Sequence, residues 1–71
     1  MSLRLPTTPD AILQEALRRE REAYDFYSGL AARCQIDFIK ELLERLEDEE
    51  AKHVRLVEAL ITKLNLGHDI V

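Results

Sequence analysis

A chain of 71 residues holds at most one domain, spanning 1–71, and lies near the size below which a lone hydrophobic core is marginal. Its net charge of −4 and pI near 5.1 argue against nucleic acid as the main partner, and no apolar run approaches the roughly 20 residues of a membrane span or forms a signal-peptide core over Met1 to Asp10. The only cysteine, Cys34, excludes an internal disulfide and a cysteine-rich zinc or rubredoxin-type iron site, and a reducing, cytoplasmic compartment is the expectation.

Met1 to Thr7 reads as a loose arm. Thr8-Pro9-Asp10 is a helix start, with a hydroxyl for the N-cap, proline at the first helical position and an acid in the first turn. The helix it opens is expected to run to about Arg33. Leu13, Ala16, Leu17, Ala23, Tyr24, Tyr27 and Ala31 recur at helical spacing and form its apolar face. Glu15, Arg18, Glu22, Asp25 and Gly29 lie opposite, on an ordinary solvated surface. Glu20 breaks the pattern, because it sits near the middle of the apolar face.

Cys34-Gln35-Ile36 reads as the turn, with Asp37 as candidate N-cap of a second helix over 37–64. Asn65-Leu66-Gly67 supplies a stop signal, and His68 to Val71 a short tail. Turning each residue by 100° places Ile39, Leu42, Leu43, Leu46, Val57, Leu60, Ile61 and Leu64 on one stripe. Glu50 and His53 fall inside that stripe. Their spacing of three puts both side chains on one face, within reach of one point. A carboxylate and an imidazole in an apolar seam need a partner. Glu49 lies toward the stripe's edge and reads as a surface acid.

The two interruptions meet in an antiparallel hairpin. Glu20 and Glu50 are equally far from Gln35, the centre of the turn, so they lie at one height, about 22 Å from it at 1.5 Å per residue. Glu20, Glu50 and His53 therefore converge. They make half of the ligand set of a di-iron carboxylate bundle, in which two helices each give one Glu and two give Glu-x-x-His. Two copies about a two-fold axis supply the whole set. Such a dimer buries four glutamates with no Lys or Arg on either seam, and two divalent ions would cancel that charge. The expected fold is all-α, an antiparallel two-helix hairpin that dimerises into a ferritin-like four-helix bundle. Mixed carboxylate and imidazole ligation suits iron, manganese or zinc better than magnesium or calcium.

The run Glu20-Arg21-Glu22-Ala23-Tyr24-Asp25-Phe26-Tyr27, followed by Glu49-Glu50-Ala51-Lys52-His53, resembles the rubrerythrin branch of the ferritin-like superfamily. Within that branch it is most similar to encapsulated ferritin, over most of residues 13–60. The resemblance implies that Glu20 is a terminal ligand, that Glu50 bridges two irons and that His53 completes each iron's shell. It implies an exposed metal-entry role for Glu22 and a place beside the centre for Tyr27. It also implies two irons per dimer, oxidation of Fe(II) by dioxygen, further association into a ring-shaped decamer and mineralisation inside an encapsulin shell. The family's additional C-terminal helical segment and shell-targeting peptide have no counterpart in these 71 residues, so ring and shell stand apart from the hairpin as expectations.

The functional expectation is a ferroxidase for iron storage or detoxification, catalysed through Glu20, Glu50, His53 and Tyr27. A rubrerythrin-like protein reducing peroxide at the same irons is the first rival, weakened by the absence of cysteine pairs for a built-in electron donor. A non-catalytic, metal-stabilised helical interaction module is the second.

Overall fold

The computed structural model describes residue 5 and residues 7–70, with side chains through residue 67. Two helices, α1 (Pro9–Arg33) and α2 (Asp37–Ile70), pack along each other as a hairpin. The expected arm lies mostly outside the described residues, as do Val71 and the side chain of His68.

The start of α1 follows the sequence. Thr8 is in extended conformation and its Oγ1 accepts the Ala11 N–H at 3.2 Å, with Pro9 in the first helical turn. That bond satisfies one of the four amide donors a helix start leaves orphaned. The helix ends at Arg33, where the Cys34 N–H still reaches the Leu30 carbonyl at 3.0 Å while Cys34 itself turns extended. No described residue takes a positive φ, so the three-residue turn is made without the left-handed glycine that commonly closes a helix.

Two boundaries of α2 differ from expectation. The Ile36 carbonyl accepts the Lys40 N–H at 2.9 Å, so Ile36 holds the cap position and Asp37 is the first helical residue rather than the N-cap. An acid there still favours the positive end of the helix dipole. At the other end the helix does not stop near Gly67 but continues to Ile70. A glycine ends a helix by turning left-handed. Gly67 keeps an ordinary negative φ, so it is only a weak helix former within a longer helix.

The hairpin measures 53 × 33 × 12 Å, and 12 Å is the thickness of one helix with its side chains. It is a single layer. Among the described residues only Leu17 and Ala31 are buried, while Leu42, Leu56 and Leu60 stay 42–59% exposed. Each helix spends part of its apolar stripe on the other and leaves the remainder uncovered. No described helix is long and apolar enough to cross a membrane.

Gly29 lies mid-helix on the exposed face, with nothing within 4 Å of where a Cβ would sit. Gly29→Ala is therefore expected to stabilise the protein by about 0.5–1 kcal/mol, read as a higher melting temperature by circular dichroism. A lowered one would mean that this face is covered.

Candidate metal centre

Glu20 comes from the middle of α1, and Glu50 and His53 come from successive turns of α2. The His53 Nδ1 lies 3.1 Å from Glu20 Oε2 and 3.4 Å from Glu50 Oε2. One donor atom from each of the three residues falls within 4.8 Å of the others. Glu50 is the most covered of the three side chains at 19% exposure, Glu20 follows at 30%, and His53 is half exposed. The cluster opens on the uncovered apolar face, where His53 neighbours Leu56 and Leu60 along the helix.

Glu20 meets His53 more closely than equal counting from the turn would place it. Side chains on a helix lean toward its N-terminus. In an antiparallel pair, α1 side chains lean away from the turn and α2 side chains lean toward it. The reach of Glu20 is thereby extended from position 50 toward position 53.

The electrostatics are those of a set lacking positive charge. A hydrogen bond with Glu20 raises the Glu50 carboxyl above its ordinary value, burial adds to this, and His53 opposes it. The hydrogen bond to Glu20 is also the main cause raising the His53 imidazole, with burial opposing and Glu50 reinforcing. The Glu50 carboxyl and the His53 imidazole are thus holding on to protons that a cation would displace. A cation held at about 2.0–2.2 Å by N and O donors draws its ligands to within about 4.4 Å of one another, so small side-chain rotations close this set. One nitrogen and two carboxylates suit iron, manganese or zinc.

Of the other two residues singled out in the sequence, Glu22 stands outside the cluster and Tyr27 lies further along the same helix. Glu22 is exposed and paired with Arg18, which also holds Glu15, while Glu15 binds Arg19 at 3.0 Å. This network lies on the solvated side of α1, and its spacings of three and four are readable from the sequence. Tyr27 is two helical turns from Glu20, about 10 Å along the axis, and its ring meets Phe26 edge-on with centroids 5.4 Å apart. Sequence reading missed the Arg21–Glu58 ion pair at 3.0 Å, which ties the helices together. It also missed an open groove of about 310 Å³ bordered by Arg21, Tyr24 and Arg55. Periodicity carries no signal for pairs that join two helices at their polar edges.

A family model of rubrerythrin matches residues 11–71, which takes in both helices and all three clustered residues. The chain belongs to the rubrerythrin family. No curated protein and no solved structure matches it. Rubrerythrins typically bind iron, and the O,O,N donor set of this rubrerythrin chain is chemically suited to that metal.

The raised Glu50 and His53 give metal-free stability a defined pH sign. Each group holds its proton in the folded state at a pH where the unfolded chain has lost it. The cluster's contribution is thus fullest below their ordinary values and is lost as pH rises through the raised ones. In metal-free protein, the His53 ring is expected to titrate above about 6.5 by NMR, and Glu20→Gln is expected to lower that value. Because a cation must displace these protons, Zn(II) affinity is expected to fall as the solution is acidified below the raised His53 value. A His53 titrating at or below the ordinary value, unmoved by Glu20→Gln, would contradict the geometry.

Proposed function

We propose that two copies of this chain pair through their uncovered faces and oxidise Fe(II) with dioxygen at a centre shared between them, for iron storage or detoxification. The convergence of Glu20, Glu50 and His53 in the middle of an unpartnered apolar face supports this reading most directly. One hairpin offers two carboxylates and one imidazole, which is half the ligand complement of a ferritin-like di-iron centre.

In this reading Fe(II) is the substrate and dioxygen accepts its electrons. The chain's own residues bind, orient and screen. Glu50, the most covered carboxylate, is suited to bridging two ions, and Glu20 to holding one from the opposite helix. His53 presents Nδ1 to the same point as both acids. The surrounding leucines exclude water once the faces close, which strengthens every charge interaction inside. Glu22 would feed the centre only after release from Arg18, and Tyr27 would act from beyond the ligands rather than among them. A ring-shaped decamer and an encapsulin shell rest on the resemblance to encapsulated ferritin alone.

Family membership supports peroxide as the oxidant equally well. Stoichiometric consumption of hydrogen peroxide by Fe(II)-loaded protein, faster than consumption of dioxygen, would decide for that chemistry.

Fe(II) titration in air, followed near 300 nm, tests the proposal. Glu50→Ala and His53→Ala are each expected to weaken metal binding by at least about 10-fold and to abolish the fast phase of oxidation. Variants that oxidise iron as fast as the parent would remove the assignment. A melting temperature unaffected by chelation would favour the non-catalytic interaction module instead.

A further inference from the structure

Glu20 and His53 come from different helices, so the distance between them depends on how α1 and α2 are set against each other. A slide of one residue moves a side chain by about 1.5 Å, whereas a binding constellation tolerates errors of roughly 0.5 Å. The turn holds the helices at one end only, about 22 Å from the cluster. Apolar attraction has no direction and does not set the register by itself. Among the described residues only Leu17 and Ala31 are buried, and beside the cluster Ala51 and Val54 border an open groove rather than a packed seam. Directional contacts are left to fix the level.

Among the described residues, side chains of α1 and α2 make such contacts in two places. One is the cluster itself, where Glu20 meets His53 at 3.1 Å and also bonds Glu50. The other is Arg21, whose Nη2 donates to Glu58 Oε2 at 3.0 Å. The two differ in what a cation does to them. A cation that takes Glu20, Glu50 and His53 as ligands occupies the lone pairs and displaces the protons through which they hold one another. The Arg21–Glu58 bond lies outside that set and persists. Arg21 follows Glu20 in sequence and is turned about 100° from it round the helix, so its guanidinium reaches the polar edge without competing for the cation.

The pair is also set at a slant. Counted from Gln35, Arg21 is 14 residues from the turn and Glu58 is 23, whereas Glu20 and His53 are 15 and 18. Side chains of α1 lean away from the turn and those of α2 toward it, and the long arginine spans the larger offset in that direction. A tie straight across two helices resists spreading alone. A slanted tie resists spreading and sliding together. We propose that Arg21 and Glu58 form a positioning pair, a diagonal brace that keeps Glu20 level with Glu50 and His53 once a cation has replaced the bonds among them. The inference rests on the reading of those three residues as metal ligands. The brace touches neither metal nor substrate. It acts through helix register, since Arg21 carries its neighbour Glu20 and Glu58 shares α2 with the other two ligands.

Co(II) is the probe, because its visible absorption reports both binding and coordination geometry. Arg21→Glu, Glu58→Arg and the swapped double variant are compared with the parent, each first shown to be helical by circular dichroism. The altered charges also act on the cation through space, but such separate effects add when the two changes are combined. A brace does not add, because the swap restores it. The double variant is therefore expected to bind Co(II) about 2- to 5-fold more tightly than the two single effects together predict, the range of a half-exposed ion pair. It is also expected to regain the parent's absorption spectrum. The excess should fade in 1 M salt, where charge reaches only about 3 Å. Strictly additive effects would overturn the brace, and so would an excess that 1 M salt leaves untouched.

His53→Ala separates this inference from the reading it rests on. Additive effects, with Co(II) binding that still depends on His53, would defeat the brace and leave the metal centre standing. The expected excess together with no Fe(II) oxidation would uphold the brace and defeat the ferroxidase reading. Co(II) bound equally well with and without His53 would overturn both.

Discussion

The structure depends on a mismatch between what the helices expose and what one neighbour can cover. Two amphipathic helices in a single layer can shield only the strips that face each other. The strips at right angles to that contact stay open, here with leucines and phenylalanines at 41–75% exposure. Apolar area left in water at this scale forgoes roughly 25 cal/mol for every Å² that could have been buried. A second copy closing that face, as proposed, would make the hairpin one half of a core. The chemistry of the chain sits where the two halves would meet, because Glu20, Glu50 and His53 lie on the boundary between the covered strips and the open ones.

That placement explains why so polar a cluster is tolerable. Inside a finished core, two carboxylates and an imidazole without a counter-charge would carry a heavy desolvation cost. On the single hairpin they remain partly solvated, and the Glu50 carboxyl and the His53 imidazole hold on to their protons. Closing the face removes water and so demands a replacement charge, which divalent cations supply. In the proposed dimer, assembly and metal uptake would favour each other through one set of atoms. Their coupling requires no moving lid or hinge, only that the same side chains belong to the interface and to the ligand set.

Much of this was legible before any coordinates. Thr8-Pro9 and the run to Arg33 declared α1, and register alone brought Glu20 level with Glu50 and His53. What escaped the sequence has physical causes. Gly67 is a stop signal only in a left-handed conformation, which composition does not reveal, so α2 continued past it. Asp37 is as favourable in the first helical turn as at the cap, so its type could not fix its place. The contact of Glu20 with His53, one turn beyond its own level on α2, follows from the lean of helical side chains, a direction invisible to residue counting.

The three-residue turn has a consequence for how the molecule reaches its working form. With so short a connection, α1 and α2 find each other through contacts near in sequence, and such hairpins close within microseconds to milliseconds. In the proposed dimer the slow event would be the meeting of two separate molecules, whose rate and extent depend on concentration. Newly made protein would accumulate first as open-faced hairpins. Cellular abundance, together with metal supply, would set the fraction that ever becomes complete.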